Sequence, residues 1–369
     1  MAVPNTDHVN DKDPRRVSVE LTNICNLRCG YCARDDEQLY HTKANFFPAD
    51  LLRRIIRGAR AAYDIKYVSF TGGEPTLHPR FAEIVRTVRE EGVQLGFVTN
   101  GWHFDRALPA LLANRGAVRV VAFSIDGATR ESHDRWRGEG SFVRLMRAVA
   151  KCYALGLPFL FKAPIRRDTL GELEAMAVLA ARLGAMGVDF SHFLPTSQDF
   201  ETEYALTRDE RSHAEQEIGV LNKILNIRIG IAAGFYDTDP AAPCANLRGI
   251  TCNVDYRGRL TLCCNIAGYR GAAEETDVIA DLNVEEFGAA YGRLQSLIEL
   301  QVERRRRALA EHAARGVEPD LYVGSPCLFC MQSFGKIPWR PVAQGARSLP
   351  VIPAAQPAQG ATDCREISL

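Results

Sequence analysis

The run Cys25-Asn-Leu-Arg-Cys29-Gly-Tyr-Cys32 places three cysteines with three residues and then two between them. Thiolates this close together suit an iron–sulfur cluster, because such clusters are held by cysteine sulfurs. Four thiolates would saturate a four-iron cluster, whereas three leave one iron open to another ligand. The bland alternative is three buried or disulfide-bonded cysteines. The chain has eleven cysteines, and most of the others are also grouped, at 244/252/263/264 and 327/330. Only Cys152 and Cys364 stand alone. The start of the chain shows no basic region followed by an apolar stretch, so a cytoplasmic protein is expected and the groups read as metal sites, not disulfides.

These residues need a scaffold, and the hydrophobic pattern supplies one. Short apolar runs predict strands at Val17–Leu21, Tyr67–Phe70, Gln94–Thr99, Val118–Ile125, Phe159–Ala163 and Val188–Phe193. Between them lie helical stripes such as Leu51, Leu52, Ile55, Ile56 and Ala59, or Phe81, Ile84, Val85 and Val88. Thr169 with Glu172, and Thr207 with Glu210, have capping-box spacing at helix starts. Six strand–helix repeats mean a parallel sheet, whose loops at the C-terminal strand ends carry the chemistry. The first cysteine loop leaves one such end. Thr71-Gly-Gly-Glu-Pro75, Thr99-Asn-Gly101 and Ser124-Ile-Asp-Gly127 leave others. Glycines at the second end allow a close backbone approach to a ligand.

The first cysteine spacing, with an aromatic residue before the last cysteine, resembles the signature loop of the radical S-adenosylmethionine (radical SAM) family. That resemblance implies an α/β fold, a partial (βα)6 TIM-type barrel, in which Cys25, Cys29 and Cys32 hold a [4Fe-4S] cluster whose open iron binds SAM. It further implies SAM contacts from Gly72, Gly73, Glu74 and Pro75, from Asn100, and from Ser124 and Asp126, with turn shaping as the alternative for Asp126. The segment His133-Asp-Arg-Trp-Arg-Gly138 is similar to one that pairs an arginine with the SAM carboxylate, and Arg137, directly before the glycine, is the preferred arginine.

The later cysteines resemble the SPASM/Twitch auxiliary-cluster domain, a small α+β unit with a β-hairpin. Ile250 to Cys264 reads as a hairpin with its turn ending at Gly258, followed by Ile279-Ala-Asp-Leu-Asn283, a long helix and Cys327-Leu-Phe-Cys330. With only one Cys-x-x-Cys here, a single auxiliary [4Fe-4S] cluster is expected. Its preferred ligands are Cys244, Cys263, Cys327 and Cys330. Cys252 and Cys264 are rivals, because a shift of hairpin register exchanges which sulfur faces the cluster. A structural zinc site made of four cysteines has similar ingredients.

The expected divisions are a leader over 1–15, the barrel over 16–235, the cluster domain over 236–338 and a tail over 339–369. Zero formal net charge argues against nucleic acid, and no apolar run is long enough to span a membrane. Arg304–Arg307 reads as a solvated helix face, Cys152 as a buried hydrophobe and His192 as a cavity or core histidine. Lys162 receives no role, and no catalytic residue is assigned.

By resemblance, the activity is reductive cleavage of SAM to a 5′-deoxyadenosyl radical, with a flavodoxin- or ferredoxin-type electron donor. Hydrogen would then be abstracted from a small-molecule natural product or sugar, because only 24 residues precede Cys25, too few for a leader-binding domain. The alternative substrate is a ribosomal peptide undergoing cross-linking or epimerisation. A non-catalytic iron–sulfur or zinc scaffold is the alternative of another class.

Overall fold

The computed structural model describes residues 15–34, 43–232, 241–269 and 276–340. The expected leader up to residue 14, the boundary near 235, the tail beyond 340 and Cys364 lie outside the described residues.

The elements run β1 Arg16–Glu20, α1 Leu51–Tyr63, β2 Tyr67–Thr71, α2 Phe81–Glu90, β3 Gln94–Thr99, α3 Phe104–Ala113, β4 Val118–Ser124, α4 Arg130–Arg137 and α5 Ser141–Leu155. They continue with β5 Phe159–Ile165, α6 Leu173–Arg182, β6 Gly187–His192, α7 Gln198–Tyr204, α8 Arg208–Ile224, β7 Arg228–Ile231, β8 Thr251–Val254 and β9 Arg259–Thr261. Last come β10 Val278–Asp281, α9 Phe287–Ala314, α10 Leu321–Gly324 and α11 Pro326–Ser333.

The ten strands among the described residues join one sheet in the order β10-β9-β8-β1-β2-β3-β4-β5-β6-β7. From β1 to β7 each strand pairs parallel with the next, as the strand–helix alternation requires. Glu20 stands opposite Thr71, Thr99 opposite Phe123 and Ser124 opposite Lys162, so the chemistry-bearing loops leave one common edge. β7 and β10 are the two edges of the sheet, which makes this a partial barrel.

Periodicity explains the packing. In α1 the buried residues Leu51, Leu52, Ile55, Ile56, Ala59 and Tyr63 form one stripe, while Arg53, Arg57 and Arg60 stay outside it. The helix stops at Asp64, which takes a left-handed φ of 53° and donates its N–H to the Arg60 carbonyl. Each fully buried Leu or Ile of this stripe contributes roughly 1.5–3 kcal/mol.

Of the two capping expectations, one changes. Thr207 and Glu210 do form a reciprocal capping box at the start of α8. Thr169 and Glu172 do not cap α6. The chain makes a 3-10 turn over Arg167–Glu172, and the Glu172 carboxylate accepts from Ala128 N and Ser132 Oγ, both at 2.8 Å. A glutamate with two donors waiting on a neighbouring loop has no reason to serve its own helix.

The second cysteine segment extends the same sheet. β8 pairs parallel with β1, Cys252 opposite Val17, and β9 and β10 continue antiparallel. The hairpin turn is set by Asp255, whose Oδ1 accepts the N–H of Arg257 and of Arg259, both at 2.9 Å, and by Gly258 at φ 82°.

Candidate metal and cofactor centre

The first cysteine loop is fixed by its neighbours before any ligand is considered. Gly73 N donates to Thr22 O and Glu74 N to Ile24 O, both at 2.8 Å, lashing the glycine turn to the loop's root. A Cβ on Gly73 would stand 1.9 Å from the Ile24 carbonyl oxygen, and one on Gly72 would stand 2.5 Å from that of Thr22. Gly72 also has φ 121°. The close approach these glycines permit is therefore to the cysteine loop itself.

Glu74, expected as a SAM contact, is held by its own chain. Its carboxylate is buried and accepts four bonds from its own chain. Thr76 N, Thr76 Oγ1 and Thr99 Oγ1 lie at 3.2, 2.7 and 2.8 Å from Oε1, and Asn100 N lies 2.8 Å from Oε2. It ties the glycine turn to the end of β3. Pro75 is buried as the first residue of a short 3-10 turn. Asn100 reaches back with Nδ2 to Cys25 Sγ at 3.7 Å and to Asn26 Oδ1 at 3.1 Å.

Asp126 and Arg137 also differ from expectation, because they meet each other. The Arg137 guanidinium is bonded to Asp126 Oδ2 through Nε and to the Tyr31 hydroxyl at 3.0 Å, and Tyr31 donates to Asp126 Oδ2 at 2.8 Å. Arg166, fully buried, holds Asp126 Oδ1 at 2.6 Å while its guanidinium lies over the rings of Trp136 and Tyr31, 4.2 and 5.0 Å from their centroids. Burial alone would raise the Asp126 carboxyl, but Arg137 and Arg166 hold it down to about 2. Asp126 is a buried anchor for the tip of the cysteine loop through Tyr31. Ser124 remains half-buried at the end of β4.

Burial pushes the Cys25 thiol up to about 12 and the Cys29 thiol up to about 11. Buried thiols of this kind ionise when a cation lies among them. Among the described residues no cysteine is in a disulfide.

Four cysteines of the second group line one cavity: Cys244, Cys263, Cys327 and Cys330, among apolar walls that include Leu247, Leu262 and Ile266. Cys327 and Cys330 sit on the first turn of α11, which Ser325 caps by accepting Leu328 N at 3.4 Å. The rivals lie elsewhere. Cys252 is buried in β8 against the Tyr63 hydroxyl, 3.1 Å away. Cys264 lies outside the cavity lining, its backbone carbonyl accepting from Arg34 Nη2 at 2.9 Å. Strand pairing of β8 with β1 sets the register that the cysteine spacing left open.

No three His, Cys, Asp or Glu groups among the described residues converge as a single-ion site. One zinc needs its sulfurs about 2.3 Å from a common point. A four-iron cluster spreads its thiolates around a cube, so the cavity and its thiol donors fit the cluster better than zinc.

Several residues not singled out above shape the region. Arg34, just past Cys32, pairs with the buried Glu20 and reaches the Cys264 carbonyl, joining the two cysteine segments. Arg305 corrects the solvated-face reading of Arg304–Arg307. It is buried and donates to the carbonyls of Val323, Gly324 and Ala242 at 3.1, 2.8 and 3.3 Å. Its neighbours Arg306 and Arg307 are exposed and pair with Glu303. Lys162 extends to Asp189 at 3.5 Å, His192 lies 3.3 Å from Ser325 Oγ, and Cys152 is buried in the core, as read. No local spacing marks Arg34, Arg166 or Arg305, since each acts on residues distant in sequence.

The model of the radical SAM superfamily matches residues 19–180. Mycofactocin maturase MftC of Mycobacterium ulcerans (strain Agy99) is 34% identical over 172 residues, 45% of this chain and 44% of that protein. PqqA peptide cyclase of Ruegeria pomeroyi is 32% identical over 175 residues, 47% of this chain and 45% of that protein. The matches thus span less than half the length of these curated relatives. Among solved structures, native anSMEcpe with bound AdoMet superposes with a TM-score of 0.61 at 15% identity, covering 80% of this chain and 86% of that one. This likeness is one of fold. No helix among the described residues is long and apolar enough to cross a membrane. Residues 19–180 are thus a radical SAM domain, and the cysteine region that follows, consistent with SPASM-like domains, is built on the same sheet.

Proposed function

We propose that this chain is a radical SAM enzyme with one auxiliary [4Fe-4S] cluster and that its substrate is a peptide. Cys25, Cys29 and Cys32 hold the SAM-binding cluster, and Cys244, Cys263, Cys327 and Cys330 hold the auxiliary one. The observation that carries this reading is the common cavity of Cys244, Cys263, Cys327 and Cys330, brought together from the loop before β8, the loop after β9 and helix α11.

When bound, the reduced cluster and SAM supply hydrogen-atom abstraction by one-electron cleavage of SAM. The chain's own residues set the stage. The Gly72–Glu74 turn holds the root of the cysteine loop, and Tyr31, Asp126 and Arg137 hold its tip. Asn100 offers an N–H to the Cys25 sulfur. Ser124 and Lys162, side by side on β4 and β5, are partly exposed at the edge where the first cysteine loop emerges and are available to SAM and substrate.

A peptide, in place of the small molecule first expected, is favoured by the relatives, one of which is named a peptide cyclase.

The test uses the full chain reconstituted without oxygen and given SAM and dithionite. Formation of 5′-deoxyadenosine, abolished by Cys29→Ala, is expected; its absence from the wild type overturns the enzyme reading. Short peptides encoded beside the gene should then change mass. A sugar or antibiotic intermediate consumed where every such peptide is returned intact overturns the peptide assignment.

A further inference from the structure

The long helix α9 carries one apolar stripe that changes character near its middle. Phe287, Ala290, Tyr291, Leu294 and Ile298 are buried, and Tyr291 stacks on Tyr63 of α1 with centroids 4.6 Å apart. The next two buried positions on that stripe are polar, Gln301 and Arg305. Leucine at 301 would continue the stripe at no polar cost, so the amide calls for a partner. Gln301 is fully buried, and its Nε2 lies 3.5 Å from Cys330 Sγ. Its Oε1 has no hydrogen-bond partner among the described residues. The amide is thus buried with its donor end on a cysteine sulfur and its acceptor end unused.

Arg305, one turn further on, aims at the same place by another route. Its guanidinium grips the carbonyl of Ala242, two residues before Cys244, and those of Val323 and Gly324, just before the helix that bears Cys327 and Cys330. α9 therefore places a neutral N–H donor on one sulfur of the four-cysteine set and a cation on the backbone that leads into the segments bearing Cys244, Cys327 and Cys330. Donors aimed at a cluster sulfur favour its more negative, reduced state and so raise its potential.

We propose that Gln301 is a positioning residue for the auxiliary cluster, donating its amide N–H to the Cys330 thiolate and raising the cluster's reduction potential. This rests on the reading of Cys244, Cys263, Cys327 and Cys330 as ligands. The couple concerned adds one electron to the oxidised cluster and moves no proton.

The experiment uses the full chain with Cys25, Cys29 and Cys32 all changed to Ala, so that only the auxiliary set can load, titrated with dithionite and followed by electron paramagnetic resonance. If this parent binds no iron, the ligand reading falls and the inference with it. If the parent binds about four irons, Gln301→Leu is expected to shift the midpoint to lower potential, and Gln301→Glu, which turns a carboxylate toward the sulfur, to shift it further. Midpoints equal to the parent's in both variants overturn the inference while the ligand reading stands. Should neither variant hold iron, the parent labelled with ¹⁵N in its glutamine side-chain amides decides. Its reduced cluster shows a ¹⁵N coupling if the bond exists and none if it does not.

Discussion

Arg34 grips Glu20 with both ends of its guanidinium, Nη2 on Oε1 at 2.6 Å and Nη1 on Oε2 at 2.9 Å, and the glutamate is wholly buried. The same Nη2 reaches the Cys264 carbonyl at 2.9 Å, while Asn253 Nδ2 donates to Glu20 Oε1 at 3.2 Å. One ion pair thus ties the first cysteine loop to the hairpin of the second cysteine region. Breaking such a buried pair from one side costs more than replacing both partners. Arg34→Met is expected to lose about 3–5 kcal/mol of stability near pH 8, and Arg34→Met with Glu20→Met to recover most of it. Burial already pushes the Glu20 carboxyl up to about 7 against the pull of Arg34. The native state therefore holds a proton that the unfolded chain has released between its ordinary range and about pH 7. The Glu20 contribution to stability falls as pH rises through that window, and the cost of Arg34→Met shrinks as pH drops. Urea unfolding of the three proteins at several pH values checks both points; a double variant no more stable than Arg34→Met would refute the pairing.

The glycine turn makes a sharper demand. A methyl on Gly73 would meet the Ile24 carbonyl oxygen at 1.9 Å, and neither backbone can yield without moving the loop that carries Cys25. Gly73→Ala is expected to load about four irons in place of about eight, with the auxiliary set retained. Iron and sulfide analysis of reconstituted protein reads this directly, and full loading would show that the loop tolerates the shift.

The sequence pattern shows the sheet plainly because period-two apolar runs and helical stripes alternate along a simple order, and every predicted barrel strand appears within a residue or two. The grouping of cysteines was equally visible, since ligands of one cluster come from short loops. What stayed hidden is set by distance. Arg34 and Cys264 are 230 positions apart, and only the pairing of β8 with β1 brings them together. The same pairing sets Cys252 opposite Val17, outside the cavity that Cys244, Cys263, Cys327 and Cys330 line. α4 was missed because its sequence, Arg-Glu-Ser-His-Asp-Arg-Trp-Arg, is too polar to show a stripe, and α3 because Pro109 lies inside it. Asp126 and Arg137 each looked able to bind a ligand; they pair with one another, and Arg166, forty residues downstream of the aspartate, holds its other oxygen.

Cysteine substitutions separate the cavity set from the rivals. Cys330→Ala or Cys244→Ala is expected to remove about four irons, and Cys252→Ala and Cys264→Ala none. Cys252→Ala should instead cost stability, on the order of 1 kcal/mol, by opening a gap beneath Tyr63. Loss of iron from Cys264→Ala with full loading of Cys263→Ala would exchange the two assignments.

His133 supplies a pH test that is independent of metal. Its ring is fully buried, and Nδ1 accepts the Asp126 backbone N–H at 3.2 Å, so that nitrogen carries no proton in the folded state. Burial first, and then the neighbouring Arg137, push its pKa down to about 4. In the unfolded chain a histidine titrates near 6.5. Between these values the unfolded state binds a proton that the native state refuses, so the His133 contribution to stability rises with pH there and is lost as the solution is acidified. The whole window corresponds to about 3 kcal/mol. His133→Asn keeps an acceptor for the Asp126 N–H and removes the titration, so its stability should depend less on pH over the same range. Urea midpoints of wild type and variant from about pH 6.5 down to about pH 4.5 decide the matter. Parallel curves would show that the acid sensitivity of this fold lies elsewhere.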